Sequence, residues 1–210
     1  MNEERMPSSL NLADLFRDAL AEHITIIRRL EAHQDEFEDA ATLISDALSH
    51  GHKVLWCGNG GSAADSQHLA AELVGRFRRR RAGLASIALT TDTSILTAVA
   101  NDFGYDEVFE RQVDALCQPG DVVVGISTSG NSKNVYAALQ RAQQIGAETV
   151  AMTGKSGGRL ASVADVCIRV PSTDPARIQE AHILYGHMLC EWVELATCIS
   201  RVLVMAGGAD

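Results

Sequence analysis

The sequence contains a histidine and a glutamate at helical spacing, a pair that can take part in metal binding or catalysis. His68 and Glu72 are four residues apart in a segment with helical periodicity, so both would share one face of a helix. An imidazole and a carboxylate in that arrangement can bind a metal ion or exchange protons with a substrate. A surface ion pair uses the same spacing, so the pair alone leaves both interpretations open.

Two further polar side chains, Gln179 and His187, lie in the last helical region of the chain. Their separation of eight residues corresponds to about 12 Å of helical rise, so one straight helix could hardly place both on one ion. Either Gln179 precedes the helix, or one of the two residues meets the site of a neighbouring subunit. For His187 alone, a hydrogen-bonded core histidine is the alternative.

A glycine-rich segment, residues 57–62 (CGNGGS), lies between a predicted strand and the helix that carries His68. Glycines there let a ligand approach the main chain, although a tight turn needs them too. The segment fits a loose dinucleotide-binding pattern, but no acidic residue ends a second strand about 20 residues later. A phosphate-binding P-loop around Lys155 would need glycine where Thr149 stands. Both nucleotide-binding interpretations are therefore weak.

Hydroxyl groups are concentrated in residues 127–132 (STSGNS), which follow the most apolar predicted strand and open a helix. The hydroxyls and the free amides at a helix N-terminus could bind a phosphate monoester without an arginine. Serine and asparagine also serve plain turns and helix caps, which is the alternative here.

Residues 76–81 (RFRRRR) carry the densest positive charge of the chain. We expect them to form a solvated helix end, where cations complement the helix dipole. Attraction of an anionic substrate, or contact with an acidic partner, is the alternative.

After residue 51, predicted strands and predicted helices alternate along the chain. Apolar runs predict strands at residues 53–57, 86–90, 121–127, 148–153 and 165–170, and helical periodicity predicts helices at 62–78, 93–116, 132–145 and 177–203. Strands that are apolar throughout are typical of a parallel sheet covered on both faces. The pattern predicts an α/β fold, a three-layer α/β/α sandwich with a parallel five-stranded sheet, in which ligands bind beyond the carboxyl ends of the strands.

The first fifty residues differ from the rest in their sequence pattern, which contains no predicted strand. Residues 10–49 predict two helices that break near residues 33–35. We expect residues 1–50 to form an N-terminal helical segment that packs on the core and in an oligomer, and residues 51–210 to form the α/β domain.

Composition excludes several functional classes. The 210 residues are 46% hydrophobic, which is typical of a folded protein, and 18 basic against 27 acidic residues give a net charge of −9. That charge disfavours nucleic acid or an anionic membrane as a partner. The start, MNEERMPSSL, has no apolar segment, and five cysteines show no C-x-x-C spacing. We therefore expect a cytoplasmic protein without a disulfide framework or a cysteine zinc site.

Five motifs in order resemble the sugar isomerase (SIS) domain family, and within it the enzymes that act on heptose phosphates. The motifs are CGNGGSAADSQHLAAEL, TTDTSILTAVANDFGYDEVF, GISTSGNSKN, MTGKSGG and VPSTDPARIQEAH, within about residues 51–198. The resemblance implies a Rossmann-like SIS fold and a cytoplasmic homotetramer with active sites at subunit interfaces. It also implies an isomerase that converts sedoheptulose 7-phosphate to D-glycero-D-manno-heptose 7-phosphate through an enediolate, the first step toward the ADP-heptose of lipopolysaccharide.

The resemblance assigns roles to individual residues as well. For the enediolate reaction that it implies, we expect Glu72 and His187 to be the catalytic pair, with Glu72 as the base and His187 as the acid. The ligands of one zinc ion per subunit fall on His68, Glu72, Gln179 and His187. The substrate-contacting positions fall on Asn59, Gly60, Gly61, Glu72, Asn101, Asp102, Ser127, Thr128, Ser129, Ser132 and Gln179.

A non-catalytic SIS tetramer that binds the replication initiator protein is the alternative function. Relatives of that kind have other residues at the positions that match Glu72 and His187. Because both residues are present in this sequence, the resemblance favours the enzyme.

Overall fold

A parallel sheet lies at the centre of the molecule. The computed structural model describes residues 11–207, with side chains to residue 197. Within that part of the chain, five strands pair in the order β2-β1-β3-β4-β5, and every pair is parallel. The strands are β1 (Val54–Gly58), β2 (Ser86–Ala88), β3 (Val122–Ser127), β4 (Glu148–Thr153) and β5 (Val166–Arg169). The predicted α/β fold with its five strands is confirmed.

Helices connect the strands and cover the sheet. They are α1 (Leu12–Arg29), α2 (Gln34–Ser49), α3 (Gly61–Val74), α4 (Thr93–Asp102), α5 (Glu110–Leu116), α6 (Lys133–Ile145) and α7 (Pro175–Gly207). The predicted break in the N-terminal helices is confirmed as a 3-10 turn over Leu30–His33. The prediction of one helix over 93–116 was wrong, because the chain leaves the helix at Gly104, whose φ of 100° favours glycine.

The strands bury both faces, as their continuous apolar character predicted. Alternate residues of β1 point to opposite sides, so Trp56 packs with α2, α3 and α7, whereas Leu55 packs with α5 and α6. Helices α1 and α2 lie against α7, where the His23 ring is 2.7 Å from a carboxylate oxygen of Glu180. The division of the chain at residue 50 stays a prediction, and residues 1–10 and 208–210 lie outside the described part.

No helix among residues 11–207 combines the length and the apolar character needed to span a membrane.

A buried histidine anchors α7 to the sheet. His182 is fully buried, and its Nε2 lies 3.2 Å from the carbonyl oxygen of Thr153 at the end of β4. Burial lowers the pKa of the His182 imidazole to about 4, because the charged ring would lose its hydration, although the hydrogen bond to Thr153 acts in the opposite direction. The native protein therefore holds this ring in its neutral form.

The depressed pKa of His182 predicts acid sensitivity. The unfolded chain takes up a proton near pH 6.5 and the native protein only near pH 4, so stability is lost as the pH falls through that interval. The loss amounts to roughly 3 kcal/mol at 1.4 kcal/mol per pKa unit. Urea unfolding at pH 7, 5.5 and 4.5 measures it.

The variant His182→Leu should flatten this dependence on pH, because leucine has no proton to bind. His50→Gln, at an exposed histidine, serves as the control and should keep the wild-type slope. Equal slopes in the wild type and His182→Leu would contradict the assignment.

Candidate active site

The predicted functional segments meet at one edge of the sheet. The glycine-rich segment follows β1 and the hydroxyl-rich segment follows β3, and these two strands are neighbours in the sheet. Because the strands are parallel, both segments lie at their carboxyl ends, where ligands bind in open α/β sheets.

Helices α3 and α7 run side by side and approach closely at two glycines. A Cβ atom on Gly61 would lie 2.7 Å from Nε2 of Gln179, and a Cβ atom on Gly186 would lie 2.5 Å from Cδ2 of Leu69. Eight residues separate the contacts along α3 and seven along α7, so the two helices are parallel and in register. A larger residue at either glycine would push the helices apart.

This register brings three donor side chains together. The Nε2 atoms of His68 and His187 are 3.0 Å apart, and His68 Nε2 lies 3.4 Å from Oε1 of Glu72. One ligand atom from each residue lies within 4.8 Å of the others. His68 and Glu72 do pair as their spacing predicts, and the pair faces His187, which favours a shared site over a surface ion pair alone.

The donor set fits a metal ion. Two imidazoles and one carboxylate are ligands that zinc commonly takes, with bonds of about 2.0 to 2.2 Å. Tetrahedral bonds of that length separate two nitrogens by about 3.3 Å, close to the 3.0 Å between the two histidines. His68 keeps 47% of its side chain exposed and Glu72 24%, so an ion or a substrate can reach them.

Gln179 lies apart from these three residues within the chain. Helix α7 begins at Pro175, so the alternative in which Gln179 precedes the helix was wrong. Its side chain packs against Gly61. Gln179 comes eight residues before His187 on α7, and Gly61 comes seven residues before His68 on α3. The role of Gln179 as a metal ligand stays a prediction.

The hydroxyl-rich segment forms a bonded cluster before α6. The Ser127 hydroxyl lies 2.9 Å from that of Ser132 and 3.4 Å from that of Ser129, whose Oγ also accepts a hydrogen bond from the Asn131 amide. Gly130 has a φ of 68°, and a Cβ there would overlap the carbonyl of Gly157. The loop is therefore held in one conformation at a helix N-terminus, as an anion site requires.

Two residues that the sequence interpretation missed, Asn134 and Tyr105, bind the predicted residue Asn59 where the two segments meet. Asn59 and Asn134 exchange a pair of hydrogen bonds, both 2.9 Å long, and the Tyr105 hydroxyl donates to Oδ1 of Asn59 at 3.0 Å. Asn134 is buried in the first turn of α6. Nothing in the sequence marks it apart from its place beside the serines.

Asn101 and Asp102 end helix α4 and are exposed, with a 2.8 Å hydrogen bond from Asn101 Nδ2 to Oδ1 of Asp102. Thr128 and Gly60 lie in the segments described above, and Gly60 precedes α3 with a φ of 57°. Their contacts with a substrate stay predictions.

The arginine-rich segment does not extend α3. The helix ends at Val74, so its predicted continuation to residue 78 was wrong. The expected solvated helix end was wrong for Arg81, whose side chain is buried against Glu194 of α7. The ring of Phe77 stacks on that of His187, with centroids 5.4 Å apart.

Comparisons with known proteins agree on one family. Residues 19–154 match the family model described as the SIS domain. A protein of Aquifex aeolicus named phosphoheptose isomerase is 53% identical over 184 residues, which cover 88% of this chain and 95% of the relative.

Solved structures give the same result. A phosphoheptose isomerase from Neisseria gonorrhoeae superposes with a TM-score of 0.83 at 45% identity, covering 88% of this chain and 99% of that one. One from Francisella tularensis gives 0.84 at 34% identity, with 88% and 98% covered.

The asparagine pair predicts a measurable stability. Asn134→Asp keeps the side-chain shape but removes the Nδ2 donor, so that a carboxylate faces Oδ1 of Asn59. Denaturant unfolding should show a loss of about 1 to 3 kcal/mol, the usual cost of a buried unpaired polar group. Gln144→Glu, at an exposed position of the same helix, is the charge-matched control. A loss no larger than in the control would count against the pair.

Proposed function

The chain belongs to the SIS domain family, and we propose that it converts sedoheptulose 7-phosphate to D-glycero-D-manno-heptose 7-phosphate. Relatives named phosphoheptose isomerase share about half of its residues over most of both chains, so the chain is a sugar-phosphate isomerase. The observation that carries the assignment of its site is the convergence of His68, Glu72 and His187, in a chain that also places a hydroxyl-rich loop at the carboxyl edge of its sheet.

The reaction is a proton transfer between two carbons. A base removes the proton from C1 of the ketose, C1 and C2 become joined by a double bond in an enediolate, and the proton is returned to C2. A second group moves a proton from the oxygen on C1 to the oxygen on C2. We assign the carbon proton to the carboxylate of Glu72 and the oxygen proton to the imidazole of His187.

The geometry supports this division of roles. Glu72 and His187 belong to different helices, and His68 lies between them at 3.4 Å from Glu72 and 3.0 Å from His187. Ligand atoms of the two residues lie within 4.8 Å of each other, so a base and an acid here could reach neighbouring atoms of one substrate.

We assign one zinc ion per subunit to this site, with His68, Glu72 and His187 as ligands. A bound zinc ion would supply a Lewis acid that stabilises negative charge on the substrate oxygen. Gln179, as the fourth ligand, would have to come from a second subunit, since in its own chain it packs against Gly61. The carboxylate of Glu72 has two oxygens and the imidazole of His187 has two nitrogens, so each residue could hold an ion with one atom and exchange a proton with the other.

The hydroxyl-rich loop is our candidate for the phosphate end of the substrate. Ser127, Thr128, Ser129 and Ser132 would donate hydrogen bonds to the phosphate, and the N-terminus of α6 would favour its charge. Binding energy from this remote group orients the sugar for the reaction. The main chain of Asn59, Gly60 and Gly61 with the side chains of Asn101 and Asp102 would contact the hydroxyls between the two ends.

We propose further that the chain assembles into a homotetramer in the cytoplasm and serves lipopolysaccharide synthesis. Support for assembly comes from an apolar stripe that α1 exposes to solvent. Leu12, Leu15, Phe16, Leu20 and Ile24 share this stripe at helical spacing, and each is at least 48% exposed. Large apolar patches of this kind mark interaction surfaces.

A non-catalytic relative that bridges initiator proteins is the other candidate. It would have no need for a base and an acid in contact, whereas this chain brings Glu72 and His187 into one cluster. A pull-down with the initiator protein beside an isomerase assay separates the two functions.

The assignment of the base predicts the effect of one substitution. Glu72→Gln should lower kcat by about 10²- to 10⁴-fold, the usual contribution of a general base. Binding of sedoheptulose 7-phosphate, measured by calorimetry, should persist because the phosphate loop is intact. Glu148→Gln, at an exposed glutamate, is the control. Undiminished turnover would remove Glu72 from this role.

The phosphate loop predicts a different kinetic signature. Ser129→Ala should raise KM about 10- to 100-fold, since a hydrogen bond to a charged group is worth about 1.5 to 3 kcal/mol. Steady-state rates measure this, with Ser162→Ala at an exposed serine as the control. An unchanged KM would place the phosphate elsewhere.

The function itself is tested by incubating the zinc-loaded protein with sedoheptulose 7-phosphate. We expect the aldose 7-phosphate to accumulate to equilibrium, as detected by NMR spectroscopy. Absence of the aldose would refute the proposed reaction.

A further inference from the structure

The carboxylate of Glu194 binds the segment that follows α3. Glu194 lies on α7 with none of its surface exposed. Its Oε1 accepts a hydrogen bond from the backbone amide of Phe77, and its Oε2 accepts from the amides of Arg78 and Arg79, each at 2.9 Å. Consecutive amides that point at one anion form a concave nest, here filled by a side chain of the protein itself.

The carboxylate is held in its charged form. Burial would raise the pKa of Glu194, but the backbone hydrogen bonds from residues 77–79 and the nearby guanidinium of Arg81 outweigh it, so the pKa lies below the usual range. Nε of Arg81 is 3.2 Å from Oε1 of Glu194, and both side chains are buried. A buried charge that is paired and hydrogen-bonded in this way is costly to disrupt.

Residues 77–81 contact both members of the proposed catalytic pair, His187 and Glu72. The ring of Phe77 stacks on His187, with a centroid distance of 5.4 Å and an angle of 19° between the planes. Arg81 donates from Nη2 to the backbone carbonyl of Glu72 at 2.9 Å and from Nη1 to that of Leu73 at 2.7 Å. These two bonds satisfy carbonyls at the C-terminal end of α3.

We propose that Glu194 is a positioning residue, which fixes the turn of residues 77–79 so that Phe77 holds the His187 ring towards Glu72. The inference rests on the proposed function for its kinetic consequence, but the positioning itself concerns the chain alone. Glu194 acts on His187 through Phe77, whereas Arg81 binds the carbonyl of Glu72 with Nη2, an atom other than the Nε that faces Glu194. The arginine-rich segment is therefore part of the site's framework.

Proteolysis tests the first step without any enzymatic assay. Arginines at positions 76 and 78–81 are trypsin sites, and native-state cleavage follows the population in which the segment is open. Glu194→Gln replaces one carboxylate oxygen with an NH₂ group that cannot accept from the amides. We expect cleavage within residues 76–81 to accelerate about tenfold or more, with the sites located by mass spectrometry.

A matched control lies one turn earlier on the same helix. Oε1 of Glu191 accepts from the side chain of Arg78 at 2.8 Å but binds no amide of the segment. Glu191→Gln removes the same charge beside the same segment and should be cleaved at the wild-type rate. Cleavage of Glu194→Gln at the wild-type rate would overturn the proposal.

A double-mutant cycle tests the second step. If Glu194 acts through Phe77, Phe77→Leu should lower kcat and zinc affinity about tenfold with KM within threefold of the wild type, because the phosphate loop is untouched. Adding Glu194→Gln to Phe77→Leu should then have little further effect. Phe77→Tyr keeps an aromatic ring and should restore both quantities. Effects of the two substitutions that multiply would contradict positioning through Phe77.

The outcomes separate this inference from the proposed function. A wild-type protein that fails to isomerise sedoheptulose 7-phosphate would refute the function, while proteolysis and zinc affinity, measured by competition with a chromophoric chelator, would still decide the role of Glu194. Should Glu194→Gln fail to fold, the zinc affinity and kcat of Phe77→Leu and Phe77→Tyr test the Phe77 contact through which Glu194 is proposed to act. Equal zinc affinity and kcat in those two variants would then overturn the proposal.

Discussion

The close, in-register approach of α3 and α7 is the constraint on which the site depends. Gly61 and Gly186 leave no side chain between the helices, so Gln179 and Leu69 pack directly against the opposite backbone. The register set by these contacts brings the ring nitrogens of His68 and His187 to 3.0 Å. Each side chain alone is an ordinary helical residue, and their chemistry arises because the two helices cannot slide or separate without steric overlap.

Polar contacts hold the α3–α7 pair at both of its ends. At the end of α3, Arg81 binds the last carbonyls of the helix and pairs with Glu194 of α7. At the other end, α7 is tied to β4 by the buried His182. The sheet edge adds the second part of the site, where the Asn59 and Asn134 amides join the glycine-rich segment to the helix of the hydroxyl-rich loop. A net charge of −9 is no obstacle to an anionic substrate there, because hydroxyls and amides act locally.

The sequence predicts local features of this arrangement well and contacts between distant segments poorly. Buried parallel strands are continuous apolar runs, so all five could be located, and His68 and Glu72 share a helix face by spacing alone. The partner of that pair, His187, is 119 residues from His68 along the chain, and only the family resemblance joined them.

Glu194 and Asn134 were missed because a buried glutamate or asparagine looks like any polar residue until its partners are known. The end of α3 was misplaced for the same reason, since the amides of residues 77–79 leave the helix to bind Glu194. The break of the predicted helix over 93–116 was visible in the sequence as Gly104, but helical periodicity on both sides concealed it. The register between α3 and α7 depends on residues of both helices, since Gly61 packs against Gln179 and Gly186 against Leu69. The sequence of either helix alone therefore does not predict it.

Diffraction from crystals of the zinc-loaded protein, recorded on both sides of the zinc absorption edge, tests most directly whether α3 and α7 build one centre. We expect one anomalous peak per subunit, about 2.0 to 2.2 Å from ring nitrogens of His68 and His187 and from a carboxylate oxygen of Glu72. A peak bonded to neither histidine, or no peak between the two helices, would contradict it.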